Sequence, residues 1–153
     1  AVEEAGAELI TIHGRTKKQG YSGVSDWERI RQAKEVATVP LLANGDIHQP
    51  VQVQEALAVT KADGVLIARG ALGNPWFFKQ VLDPSCTVSL HERFAVILEH
   101  LRLHMAQYGE EKGPITFRKH LSWYFKSDKL GVIIPGIKDF RSKMVRIESY
   151  ADL

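Results

Sequence analysis

The sequence predicts an α/β chain, about three βα units followed by an all-helical domain, and three observations predict it. Three short apolar runs, Leu9-Ile-Thr-Ile-His-Gly-Arg-Thr16, Val39-Pro-Leu-Leu-Ala-Asn-Gly-Asp46 and Gly64-Val-Leu-Ile-Ala-Arg-Gly-Ala-Leu-Gly-Asn-Pro-Trp76, each end in a polar turn marked by glycine. They are rich in Val, Ile and Leu without clean alternation, as strands buried on both faces of a parallel sheet are. Helical stretches separate them, which makes βα units. Beyond residue 86 the alternation of strand with helix gives way to helix alone.

Taken in order, residues 1–7 read as the end of a helix and 9–13 as a strand, with a loop over 14–24. A helix over about 25–36 is capped by Asp26 or Ser25. A strand at 39–43 leads to a helix at about 49–59 with Pro50 in its first turn. The third strand covers 64–68, and a short helix about 74–81. After the polar connector Asp83-Pro-Ser-Cys86, Phe94, Ile97, Leu98, Leu101, Met105 and Tyr108 recur at helical spacing until Gly109 stops the run. Ile115–Phe125 and Ile137–Tyr150 read as two further helices, the second opening near Pro135. Domain boundaries of 1–86 and 87–153 follow. A closed eight-stranded barrel takes roughly 250 residues, so three strands are either part of a barrel or a small open sheet. The opening Ala1-Val-Glu-Glu-Ala-Gly-Ala-Glu8 reads as closing turns of a helix, which predicts a C-terminal portion of a longer protein.

The hydrophobic fraction of 44% is ample for a core. No apolar run reaches bilayer length and no signal segment opens the chain, so no membrane partner and a cytoplasmic location are expected. Cys86 is the single cysteine. It allows neither an internal disulfide framework nor CxxC spacing, so no metal site is predicted. The net charge of +2 is small, but Lys112 to Arg146 holds nine Lys or Arg against two acids, a density suited to a polyanion. Arg118, Lys119, Lys126, Lys138 and Arg141 are the candidate contacts. A solvated helical face is the alternative, and Trp123 and Tyr124 among them read as core.

Asn44-Gly45-Asp46 ends one strand and Ala68-Arg69-Gly70 the next. In (β/α) barrels the loops after the last two strands are a frequent phosphate site, and Arg69 adds a bidentate cation. The same glycines would serve turns alone. His13, at the end of the first strand, either faces the mouth of a barrel or packs as a satisfied histidine. The polar loop Thr16–Gly23 suits an active-site loop or an ordinary surface loop.

Five strings occur in order along the chain: His13-Gly-Arg-Thr16, Gln19-Gly-Tyr-Ser-Gly-Val-Ser-Asp-Trp27, Asn44-Gly-Asp-Ile47, the run from Ala62 to Trp76, and Arg118-Lys-His-Leu-Ser-Trp-Tyr124. Together they closely resemble the tRNA-dihydrouridine synthases, particularly the bacterial DusB-like group. The resemblance implies the C-terminal part of an FMN-containing (β/α)8 TIM barrel followed by a tRNA-binding helical domain, with NADPH as the reductant of the 5,6 double bond of particular uridines. By position it implies that His13, Asn44, Gly45 and Asp46 lie against FMN and that Ala68 and Arg69 bind its phosphate. Ala68 departs from the family's usual glycine, although its N–H still donates. The family's cysteine general acid, which protonates C5 while hydride goes to C6, and its flavin-binding lysine fall before Ala1. The chain is therefore expected to hold no catalytic residue, to lack the N-terminal barrel half and to be inactive alone, with Cys86 an incidental thiol. Another FMN-dependent pyrimidine reductase and a stand-alone RNA-binding fragment are the rivals.

Overall fold

The structure is a computed structural model in which residues 2–126, 130, 134–149 and 152 are described. The first part of the chain runs β1 (Ile10–His13), α1 (Trp27–Val36), β2 (Leu41–Asn44), α2 (Gln52–Thr60), β3 (Gly64–Leu66), a 3-10 turn (Arg69–Ala71) and α3 (Phe77–Leu82). All strand pairing is parallel, in the order β1-β2-β3. The register sets His13 opposite Asn44 and Asn44 opposite Leu66. Those three residues therefore form one row at the C-terminal ends of the strands, and the loops that follow them start side by side.

Local chemistry explains where the elements begin. Asp26 caps α1, its carboxylate accepting from the Arg29 amide at 3.0 Å, an arrangement worth about 1 kcal/mol. Pro50 lies just before α2 rather than inside it, and the Gln52 side chain instead accepts from the amides of His48 and Gln49. Asp63 braces the sheet from below: its carboxylate takes the Lys34 ammonium and the Leu41 amide, both at 2.7 Å. β3 stops at Leu66, two residues short of the sequence expectation, because the chain turns into the 3-10 segment at Arg69.

The core lies on one face of the central strand, where α1 and α2 pack against it and against each other. Ile30, Leu41 and Ala43 form one buried cluster, and Ile47, Val53, Ala56 and Phe77 another; Trp27 and Val65 pack against both. β2 carries the fully buried residues, as an inner parallel strand should. β1 and β3 are more exposed.

The chain divides into two compact units, Ala1–Ala71 with Phe77–Ser85, and Leu72–Trp76 with Cys86–Leu153. The segment 72–76, which the sequence boundary puts in the first part, groups with the second. Its physical tie is Arg93, buried to 3% exposure. The Arg93 guanidinium donates to the Gly73 carbonyl at 3.1 Å and lies 5.2 Å from the Trp76 ring centre.

In the second unit α4 (Leu90–Tyr124) opens on Ser89, whose hydroxyl accepts from the Glu92 amide. At Gly109, with φ 73° and ψ 175°, the helix breaks into two arms. The sequence stop at Gly109 is thus real, but helix resumes at once rather than at Ile115. α5 (Ile137–Met144) starts after Gly136 and ends before the expected limit; Tyr150 lies outside the described residues. A turn follows Met144, and the Arg118 guanidinium donates to the Ile147 carbonyl there. Ile97, Leu101, Phe117, Leu121, Tyr124, Phe125, Leu130, Met144 and Ile147 form this unit's core. Tyr124 is buried and Trp123 half-buried.

Candidate functional site

At the C-terminal ends of the strands lies a cleft of about 200 Å³, lined by His13, Tyr21, Asn44, Gly45, Asp46, Ile47, His48, Leu66, Ala68 and Arg69. All six residues expected from the sequence to meet a cofactor, His13, Asn44, Gly45, Asp46, Ala68 and Arg69, are among them. The cleft is smaller than the roughly 300–1,000 Å³ of typical small-molecule pockets.

Each wall has a local cause. His13 ends β1 with Nδ1 3.1 Å from the Asn44 carbonyl oxygen. A carbonyl only accepts, so Nδ1 carries a proton and donates it to Asn44. The Asn44 amide nitrogen donates to the Leu66 carbonyl at 2.8 Å, tying β2 to β3 at the floor of the cleft. Gly45 has φ 121°. A Cβ built there would stand 2.7 Å from His13 Nδ1 and overlap the Ser25 hydroxyl, so only glycine fits. Its carbonyl accepts from the Trp27 indole at 2.9 Å.

Asp46, at φ 57°, is a left-handed position that aspartate tolerates better than most residues. Its carboxylate accepts two guanidinium bonds from Arg15, at 2.8 and 2.7 Å, and one from the Ser25 amide at 2.7 Å. Burial works against its ionisation. The Arg15 and Ser25 hydrogen bonds, with the Arg15 charge, together outweigh burial and hold the carboxyl below its ordinary value. The Arg15 side chain is 4% exposed. It also donates to the carbonyls of Ser22 and Gly23, so its donors are committed to the Ser22–Gly23 loop and to Asp46.

Arg69 differs. Its side chain is 45% exposed and 3.7 Å from Asp46 Oδ1, and its guanidinium lies 4.5 Å from the Tyr21 ring centre. Asp46 is paired chiefly with Arg15, so the Arg69 guanidinium stays largely open to the cleft.

Sequence reasoning did not single out Arg15, Tyr21, His48, Ile47 or Leu66. The signal for the first two was present, since Arg15 follows His13-Gly14 and Tyr21 stands in the polar glycine-flanked loop. Of the five cations expected to meet RNA, Lys119, Lys126 and Lys138 are exposed. Arg118 is half-buried and bonded to the Ile147 carbonyl, and Arg141 is half-buried with its Nε out of solvent. Among the described residues, no helix is long and apolar enough to cross a membrane.

A family model described as "Dihydrouridine synthase (Dus)" matches residues 1–152. The chain is 39% identical over 128 residues to the "Probable tRNA-dihydrouridine synthase" of Rickettsia bellii, covering 80% of this chain and 39% of that protein. It is 33% identical over 165 residues to "tRNA-dihydrouridine synthase B" of Pasteurella multocida, covering 99% of this chain and 48% of that one. With the protein of the same name in Pseudomonas aeruginosa the identity is 35% over 153 residues, covering 95% and 44%. The chain thus spans less than half the length of each of these relatives.

Proposed function

The chain belongs to the dihydrouridine synthase family, and from that premise we propose that it is the C-terminal part of an FMN-dependent enzyme that reduces particular uridines of cytoplasmic tRNA with NADPH. On this reading residues 1–86 are the last three βα units of a (β/α)8 barrel and 87–153 a helical domain that holds the tRNA. One observation supports it above the others. His13, Asn44, Gly45, Asp46, Ala68 and Arg69 gather around one cleft at the C-terminal ends of parallel strands, the end at which (β/α) barrels carry their active sites.

The residues present fit the flavin. Arg69 offers an exposed guanidinium to its phosphate beside the backbone of Ala68, and both border the same cleft as His13 and Asn44. The chemistry that reduced FMN would supply, when bound, is a hydride for C6 of the uracil. This chain's own residues bind and orient: Arg15 neutralises Asp46 so that the carboxylate does not repel the phosphate, and the His13 ring, held by its bond to the Asn44 carbonyl, borders the cleft. The proton for C5 comes, on this proposal, from a cysteine outside residues 1–153. Cys86, at the end of the connector after Asp83, is assigned no role.

Titration of the chain with FMN and with riboflavin tests the cofactor reading, alongside a polypeptide of the relatives' full length. Arg69→Ala is expected to weaken FMN roughly 10- to 100-fold, the loss of a charge-assisted hydrogen bond of about 1.5–3 kcal/mol, and to leave riboflavin unchanged. Equal losses for both flavins, or none for either, would remove Arg69 from the phosphate site. Flavin binding without any tRNA affinity would favour the pyrimidine-reductase rival, and tRNA binding without flavin the RNA-binding fragment.

For the tRNA reading, Lys119→Glu, Lys126→Glu and Lys138→Glu are the informative substitutions, since these three side chains are exposed whereas Arg118 supports the Ile147 turn. Each is expected to lower the slope of log affinity against log salt by about 1. A slope that stays constant through all three would count against RNA at this face.

A further inference from the structure

Three histidines converge in the second unit. His100 and His104 stand one helical turn apart on the first arm of α4, and His120 stands on the second arm. One ring nitrogen of each lies within 4.8 Å of the other two. His120 is 4.6 Å, centre to centre, from His100 and 5.4 Å from His104. His104 is 8% exposed and the other two are half-buried.

We propose that His100, His104 and His120 form a three-imidazole site for a divalent first-row transition metal, with Zn²⁺ as the test ion, that clamps the two arms of α4 across the Gly109 break. Imidazole is a preferred ligand of zinc, copper and nickel. Three histidines with water in the fourth position is an established zinc coordination. Zn–N bonds of about 2.0–2.1 Å require the nitrogens to draw together from their present spacing. Rotation about the side-chain torsions of each histidine supplies that movement.

The surroundings match what ligating histidines have behind them. His104 Nε2 is 2.7 Å from the Thr116 hydroxyl, whose own proton goes to the Lys112 carbonyl at 2.8 Å, so the histidine donates. His100 Nδ1 is 3.1 Å from the Tyr124 hydroxyl. Hydrogen-bond partners of this kind fix ring orientation and tautomer at metal centres. Burial, then the charges of His100, His104 and Lys119, pushes His120 down to about 4, and burial lowers His100 and His104 as well. Lys119 is the lysine whose charge opposes the metal's, and its side chain is exposed to water. The absence of cysteine spacing hid this site from the sequence, because two of its ligands look like an ordinary helix face and the third lies beyond the break.

Calorimetry with Zn²⁺ and visible spectroscopy with Co²⁺ on the full chain test the proposal. One equivalent of Zn²⁺ is expected to bind and raise the melting temperature, and Co²⁺ to give the intense visible bands of a four-coordinate nitrogen site. His120→Gln is expected to abolish both. Thr116→Val removes a supporting partner without removing a ligand, and is expected to weaken Zn²⁺ roughly 10- to 100-fold with an unchanged circular dichroism spectrum. If His120→Gln fails to fold, the Thr116→Val comparison decides. No uptake by the wild-type chain, or uptake that neither substitution alters, would overturn the site.

Discussion

Asp46→Ala is expected to destabilise the first compact unit by about 3 kcal/mol, at the lower end of what removing one partner of a buried ion pair costs. The lower end applies because the Asp46 side chain keeps 22% of its exposure while that of Arg15 keeps 4%. Without the carboxylate, a guanidinium would remain enclosed beside the Ser22 and Gly23 carbonyls with no countercharge, and the Ser25 amide would lose its acceptor. Acid should reproduce the effect gradually. The folded carboxyl is held below its unfolded value, so the pair's contribution is complete above the ordinary carboxylate range and drains away as pH falls through the folded value. Urea unfolding at a series of pH values measures both. Asp46→Asn should show a flatter acid limb than the wild type, and identical limbs would mean that the pair carries little of the stability.

Gly45→Ala is expected to cost about 3 kcal/mol or more and to remove flavin affinity. Two penalties act together. A non-glycine residue in strained backbone costs about 1–3 kcal/mol, here at φ 121°, and overpacking costs about another 1–3 kcal/mol. The new Cβ would stand 2.7 and 2.8 Å from the His13 ring and overlap the Ser25 hydroxyl. Relief requires His13 or Ser25 to move, and both border the Asn44–Asp46 turn. Gly20→Ala provides the comparison, for it also has positive φ, 55°, yet nothing lies within 4 Å of its Cβ. It should cost about 1–2 kcal/mol and leave the cleft intact. Comparable melting shifts in the two variants would show that crowding at Gly45 is unimportant.

Much of this was legible because it is local. Strand ends followed by glycine, a cap at Asp26 and a stop at Gly109 are short-range facts of backbone chemistry. Adjacent parallel strands then carry such turns to the same end of the sheet, which is why residues as far apart as His13 and Arg69 share a cleft. What stayed hidden depends on partners distant in sequence. Nothing near Arg15 announces Asp46 as its counterion. The grouping of Leu72–Trp76 follows from Arg93, whose position on a later helix has no signature in the segment it holds. The end of β3 at Leu66 reflects a turn imposed after the apolar pattern had already promised two more strand residues.

The Arg15 brace also bears on kinetics. By holding Ser22, Gly23 and the Asp46 turn together in the folded chain, it orders one wall of the cleft without a ligand. Fixing a backbone residue takes about 1–2 kcal/mol of conformational entropy, and a wall built in advance does not charge that entropy to the binding step. Capture there should consequently follow diffusional encounter, without a slow closing phase that saturates with ligand concentration.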